Sequence, residues 1–300
     1  MGYEARLELA DQRGRRWVGV HTPACADLRD LFTPLLAEEG LSEGSQALID
    51  RLPDDVGVQA QLGPNALGLH APGLGDNCEL VLKWVPPSQR GPLDALVHAT
   101  EGSRAQRAHL MAHRLRAFGL SVPRPLGYLE RAHAPRRHPS LHVSAYVRSP
   151  DLRAWWAASL AEGSQAAQEA ALRRQCLMQL AQALRMLRSQ GLFHGDLHAE
   201  NILVTPTGVV LLDLESVRST GRGDRLVKKG LLRLDRDARE LGGLRSVDRL
   251  RFLQEFFRHS ANAGALRRHW WRVLEAGAAS PRVVAALEPD VPSEDVSPPL

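Results

Sequence analysis

Apolar residues recur along this chain with two different periods, and the change falls near Ser149-Pro150. Before that point the apolar runs are short and alternate with polar residues, the spacing of half-buried strands. Arg6 to Ala10 and Trp17 to Val20 flank Asp11-Gln12-Arg13-Gly14, which predicts a hairpin, and two short helical patterns follow at Asp27 to Ala37 and Glu43 to Arg51. Val56 to Gln61, Leu67 to His70 and Leu80 to Val85 then read as three successive antiparallel strands, separated by Gly63-Pro64-Asn65 and by the Gly-rich stretch from Ala71 to Asn77. Ser103 has the character of an N-cap for a helix running to about Phe118, with Gly119 as its stop. A polar loop from Arg131 to His138 precedes a further strand, Leu141 to Val147.

Beyond Pro150 the period becomes helical. From Gln165 to Gln190, Leu172, Cys176, Leu180, Leu184 and Leu187 share one face, and Gly191 stops the run. The pattern predicts an α+β chain with an antiparallel-sheet first lobe and a helical second lobe. Residues 1–50 form an N-terminal extension packed on the first lobe, 51–147 that lobe, 148–287 the second, and 288–300 a disordered tail rich in Pro, Ser and acids.

Composition narrows the function classes. With 300 residues, 44% of them apolar and 24% charged, the chain can bury the cores of two lobes. A net charge of +4 comes from Arg spread over the whole length, which favours anionic partners without pointing to nucleic acid. Cys25, Cys78 and Cys176 are odd in number and far apart, so neither a disulfide framework nor a zinc knuckle is expected. The start, Met1-Gly2-Tyr3-Glu4, lacks the layout of a signal peptide, and no stretch has the ~18 uninterrupted apolar residues of a membrane span. The expected location is the cytoplasm, with peripheral contact at an anionic inner membrane surface.

The most informative segment is His194-Gly195-Asp196-Leu197-His198-Ala199-Glu200-Asn201, followed by Ile202 to Val204, the turn Thr205-Pro206-Thr207-Gly208, and a return strand ending at Asp213-Leu214-Glu215. Phosphoryl transfer from a nucleotide needs its phosphate charge bridged by a divalent ion, whose hard oxygen ligands come from carboxylates and amides. A hairpin that starts at Asn201 and ends at Asp213 brings two such ligands together. Asp196, on the loop before it, can then orient an acceptor hydroxyl and take its proton. Turn-capping roles for all three residues are the plainer alternative.

These residues resemble the catalytic loop H-R-D-x-x-x-x-N of the protein-kinase-like superfamily, with Gly195 in place of Arg and with Asp213-Leu214-Glu215 in place of Asp-Phe-Gly. The H-G-D-L-H form is similar to the small-molecule kinases, in which His198 stands where protein kinases carry Lys and counts with Asp196 as a catalytic candidate. The resemblance implies a two-lobed protein-kinase-like fold, ATP and Mg2+ as cofactors, and a nucleotide in the cleft. It also implies Asn201 and Asp213 as metal ligands. Lys83 matches the strand lysine that holds the nucleotide's phosphates, an ordinary strand lysine being the alternative. Gly63 is a weaker candidate for the phosphate-covering turn, and Tyr146-Val147-Arg148 corresponds to the connector whose backbone meets adenine. The helix glutamate that pairs with the strand lysine is absent: its position falls on Ala108, with Glu101 seven residues earlier.

Over residues 56–275 the chain resembles the lipopolysaccharide core kinases more closely, through Ser103 to Arg107, Leu115 to Pro123, the Asp-Leu-Glu ending, Arg239-Glu240-Leu241 and Arg249 to Leu253. That resemblance implies a sugar or glycolipid acceptor, Kdo or heptose of the inner core. An atypical protein kinase, an antibiotic phosphotransferase and a nucleotide-gated pseudokinase are the alternatives, the last encouraged by Ala108. Other signals carry less. His109 and His113 have zinc-ligand spacing but no accompanying Glu. Arg131, Arg136, Arg137 and His138 suit a solvated loop or an anionic-lipid contact. Arg218, Arg222, Arg225, Lys228 and Lys229 suit a flexible loop or a phosphorylated acceptor. Trp155-Trp156 and Trp270-Trp271 suit packing.

Overall fold

Among the described residues, the first half of the chain is organised by a sheet of seven antiparallel strands, numbered β1 to β7 along the chain and arranged in the order β1-β2-β6-β7-β5-β4-β3. The computed structural model describes residues 5–11, 13–22, 28–36, 49, 52–53, 55–63, 65–71, 79–86, 102–132, 139–160, 166–219, 223–242, 244–260 and 262–279. The chain divides into two units, Met1–Ala117 with Val122–Arg148, and Phe118–Ser121 with Ser149–Leu300.

In the first unit, β1 (Ala5–Ala10) and β2 (Arg16–His21) form the predicted hairpin. Its turn is built on Asp11, a buried carboxylate that accepts hydrogen bonds from the amides of Arg13 and Arg15 (3.0 and 2.9 Å) and from Trp17 Nε1 (3.1 Å). Burial pushes the Asp11 carboxyl up, but these donors together outweigh it and the net shift is downward. β2 pairs with β6 (Pro125–Arg131), so the N-terminal hairpin extends the sheet rather than lying on it. β6 itself was not predicted from the sequence. Its residues are buried on both faces, which removes the polar alternation that marks a strand. β3 (Gly57–Gly63), β4 (Ala66–His70), β5 (Glu79–Val85) and β7 (Ser140–Ala145) complete the sheet.

The short helix α1 (Arg29–Leu35) lays Leu31, Phe32 and Leu35 into a core shared with Leu7, Trp17, Leu69, Leu82 and Leu141. α2 (Arg104–Ala117) starts as predicted: Ser103 Oγ accepts from the Gln106 amide at 3.0 Å, and the Ser103 amide donates to buried Glu130 at 3.0 Å. It turns Ala105, Ala108, His109, Ala112 and Leu115 inward and packs on β6 and β7. The helical pattern at Glu43 to Arg51 lies almost wholly outside the described residues, as do Cys25, Cys78, Glu101, Arg136, Arg137, His138 and the tail from Glu288.

The second unit begins with α3 (Leu152–Ala158), capped by Asp151, whose side chain accepts from the Ala154 amide at 2.8 Å. α4 (Ala166–Ser189) follows and ends at Gly191, where φ is +61°. Cys176, Leu180, Leu184 and Leu187 are buried as their spacing predicts, and burial pushes the Cys176 thiol up to about 12. Leu172 departs from that expectation. It is 42% exposed, because the buried stripe begins one turn later. Two small antiparallel pairs come next, β9 (Ile202–Thr205) with β10 (Gly208–Leu211), and β8 (Leu192–His194) with β11 (Val217–Ser219).

Three helices close the unit: α5 (Gly223–Leu241), α6 (Ser246–Phe256) and α7 (Ala263–Ala279). They are joined by Arg249, buried on α6, which donates to Asp235 of α5 at 2.7 Å and to Glu275 of α7 at 2.6 Å. The basic run after Asp213 is therefore largely helical and not a flexible loop: Arg225, Lys228 and Lys229 belong to α5, while Arg222 lies outside the described residues. Trp156 and Trp270 are buried, Trp156 with its Nε1 donating to the Gly242 carbonyl at 2.9 Å.

The fully buried Leu180 of α4 tests this core. Leu180→Ala should lower the free energy of unfolding by about 2–5 kcal/mol in urea titrations. A loss below about 1 kcal/mol would show that this face of α4 is not packed.

Candidate functional site

Residues 194–216 form a loop, a hairpin and a second loop that return to the same strand pair. Register fixes the centre: Leu211 lies opposite Ile202 in the β9–β10 hairpin, and the Leu212 amide donates to the Asn201 carbonyl at 2.9 Å. Asn201 therefore lies one residue from Asp213 across the ladder, at the open end of the hairpin. The hairpin is held on both edges, by Val204 N–H to the Pro150 carbonyl (3.0 Å) and Leu211 N–H to the Ser121 carbonyl (3.1 Å).

Asp213 is, among the described residues, the non-glycine with a positive φ, in the left-handed region at φ 56°, ψ 48°. That conformation turns the chain out of β10 toward β11. Ser216 holds the turn twice, its amide (3.1 Å) and its hydroxyl (2.8 Å) both donating to the Asp213 carbonyl. On the other side, buried His194 directs Nε2 to the Leu212 carbonyl at 2.7 Å. Burial holds the His194 pKa below its usual value, against the Leu212 carbonyl and the charges of Asp213 and Asp196, so the ring is a neutral donor at pH 7. Gly195 allows the approach. Its amide donates to the Ser216 carbonyl at 3.0 Å, and a Cβ there would sit 2.6 Å from that oxygen.

Asp196 follows. Its carbonyl accepts from Asn201 Nδ2 at 2.9 Å, and its Oδ2 lies 3.5 Å from the same nitrogen and 3.5 Å from His198 Nε2. Asn201 thus spends its NH2 on Asp196, which leaves the amide oxygen as its ligating atom. The four residues singled out in sequence, Asp196, His198, Asn201 and Asp213, are contributed by one continuous stretch, and the first three are in mutual contact range.

Two α5 residues here were missed from sequence. Buried Asp237 accepts the Ala199 amide at 3.0 Å and so fixes the loop between Asp196 and Asn201. A carboxylate three residues after Leu234, on the apolar face of a helix, was the available signal. Arg233 makes an ion pair with Asp196 Oδ1. Nothing in the sequence sets Arg233 apart from the other basic residues of α5.

In the first unit, the remaining candidates lie along the sheet. Lys83 of β5 is opposite Ala66 of β4 and His142 of β7, Ala66 is opposite Gly63, and His142 is opposite Tyr128. Gly63, Lys83, His142 and Tyr128 thus share one cross-strand row. His109 of α2 lies over it, its ring 5.3 Å from Tyr128, 6.3 Å from His142 and 4.8 Å from His113. Ala108, where the resemblance would put a glutamate, is buried, and α2 carries no carboxylate. Tyr146 follows β7, its amide bonded to the Glu79 carbonyl at 3.0 Å and its ring near Gly68. Val147 and Arg148 come next, and Arg148 donates to Glu79 through Nε at 2.8 Å.

Two consequences are measurable. Burial, then His109, then the Lys83 charge push His142 down to about 3. A histidine depressed in the fold contributes stability that is complete above its unfolded pKa of about 6.5 and is lost as pH falls toward 3. Between pH 6.5 and 5 the wild type should lose about 2 kcal/mol on this account, and His142→Leu should abolish that part of the acid sensitivity in denaturant titrations. An unchanged pH slope in the variant would sink the assignment. Separately, Asp237→Ala leaves the buried Ala199 amide unsatisfied and should cost about 1–3 kcal/mol of stability by thermal unfolding.

No curated protein matches the chain. A solved structure titled "WaaP in complex with acyl carrier protein" is similar in fold, with a TM-score of 0.53 at 20% identity over 77% of this chain and 88% of that one. The sequence model described as "Lipopolysaccharide kinase (Kdo/WaaP) family" matches residues 93–276, from before α2 through most of α7. That span takes in the loop, the hairpin and the helices that hold them, and the chain belongs to the lipopolysaccharide kinase (Kdo/WaaP) family: it is an ATP-using phosphotransferase of the lipopolysaccharide core.

Proposed function

We propose that the stretch from Asp196 to Asp213 is the catalytic centre, with Asp196 as the group that orients and deprotonates the acceptor hydroxyl and Asn201 and Asp213 as ligands of Mg2+. The observation that supports this is the hairpin register, in which Asn201 lies opposite Leu212 and one residue from Asp213, with Asp213 in a left-handed turn and the Asp196 carbonyl accepting from Asn201 Nδ2. A carboxylate and an amide oxygen are the hard, sparse donor set that suits Mg2+ completed by nucleotide phosphates. When bound, the ion neutralises charge building on the phosphates.

The chain's own residues do the rest. Asp196 accepts the hydroxyl proton as the acceptor oxygen forms its bond to the γ-phosphorus, and the bond from that phosphorus to the bridging oxygen breaks to release ADP. His198, 3.5 Å from Asp196, shares the orientation of that carboxylate. Lys83 holds the nucleotide phosphates, the turn after Gly63 covers them, and the backbone of Tyr146 and Val147 meets adenine. The acceptor is a sugar of the inner core, Kdo or heptose, met at the inner membrane surface by peripheral contact. Among the described residues no helix is long and apolar enough to cross a membrane.

The test is phosphoryl transfer by the full chain to inner-core glycolipid and to free sugars, read by mass spectrometry as the gain of one phosphate. Asp196→Asn should lower kcat about 10²- to 10⁴-fold while ATP still raises the melting temperature. Asp213→Asn should weaken the Mg2+ dependence along with the rate. Phosphate appearing on protein alone would overturn the sugar acceptor, and full activity in Asp213→Asn would overturn the ligand assignment.

A further inference from the structure

Arg233 projects from the middle of α5 onto the carboxylate assigned above as the proton acceptor. It pairs with Oδ1 of Asp196, and both side chains are well exposed, 38% and 44%. The loop does not need this contact to hold its shape. Its backbone is already fixed by Asp237 on the Ala199 amide and by Asn201 Nδ2 on the Asp196 carbonyl. A half-exposed ion pair adds little to stability, so the position of Arg233 calls for another explanation.

The two oxygens of Asp196 differ in their surroundings. Oδ2 faces Asn201 Nδ2 and His198 Nε2, each at 3.5 Å, while Oδ1 carries the guanidinium. A hydroxyl that approaches Asp196 therefore arrives within hydrogen-bonding reach of Arg233. One guanidinium nitrogen is engaged, and the planar fork keeps further donors suited to a two-oxygen anion. Lys229 lies one turn earlier on the same face of α5 and is exposed, so the positive charge extends along the helix.

We infer that Arg233 is the specificity residue of the acceptor side: it receives an oxyanion, carboxylate or phosphate, that the acceptor carries next to the hydroxyl to be phosphorylated. The inference rests on the assignment of Asp196 as the proton acceptor. An anionic group on the acceptor takes donors of the fork and draws Arg233 off Oδ1, which frees that oxygen for the hydroxyl. Neutral sugars leave the ion pair in place and compete poorly for Asp196. Cationic acceptors are repelled.

The experiment uses the full chain and three probes: free Kdo, its C1 carboxamide, and a heptose phosphate. Binding is measured by calorimetry and transfer by phosphate gain, in wild type, Arg233→Gln and Arg233→Lys. The charged sugar should bind wild type about 10- to 100-fold more tightly than the carboxamide, the range of a charge-assisted bidentate contact. Arg233→Gln should erase that ratio and raise KM for the charged acceptor far more than for the carboxamide, and Arg233→Lys should keep part of it. Preference for the free acid identifies a carboxylate as the ligand, and preference for the heptose phosphate identifies a phosphate. Equal affinity of wild type for charged and neutral probes, or an Arg233→Gln variant that keeps the ratio, overturns the inference. Binding decides it even if no probe is phosphorylated, an outcome that would count against the proposed acceptor instead.

Discussion

The site depends on a single backbone turn. A non-glycine residue in the left-handed region costs roughly 1–2 kcal/mol, and it persists only where its neighbours fix it. At Asp213 the fixing is redundant: Ser216 bonds the carbonyl through both amide and hydroxyl, and His194 engages the Leu212 carbonyl just before the turn. The turn sends the chain from β10 into β11, and β11 pairs with β8, the strand that ends in His194. Loop and hairpin thus close on each other, so that displacing Asp213 means breaking the β8–β11 pair as well. Gly195 belongs to the same closure. With the Ser216 carbonyl where a Cβ would stand, no larger residue fits after His194, which gives the His-Gly-Asp form of the loop a steric cause.

Much of this was legible in the sequence because local chemistry and tertiary structure agree there. Asn201 and Asp213 flank two strands joined by Thr205 to Gly208, and a hairpin with that turn admits few registers. Ser103 as a cap and Gly191 as a stop were readable for the same reason, since each acts on its own neighbours. What stayed hidden was contributed from far along the chain. Asp237 and Arg233 come from a helix that begins ten residues after Asp213, and their partners Ala199 and Asp196 lie 38 and 37 residues away. Periodicity reports which face of α5 is buried but not which loop packs on it. β6 was lost for a related reason, since a strand covered on both faces has no alternation to read.

The charge balance of the first unit follows from the same economy of side chains. A kinase strand lysine is ordinarily oriented by a carboxylate from the neighbouring helix, yet α2 offers Ala105, Ala108, His109 and Ala112 to the sheet. Beside Lys83 in the ladder is His142, held neutral down to about pH 3 by burial, by His109 and by the lysine itself. A neutral imidazole does not repel the ammonium, and α2 brings no carboxylate to this row. Strand pairing and the packing of His109 on Tyr128 fix the geometry of the row. In the second unit Arg233 and Asp196 make an ion pair that is present beforehand and that, on the inference drawn for Arg233, is given up when an anionic acceptor arrives. Substrate charge is then put to work at the moment of binding, and the strength of binding depends on that charge.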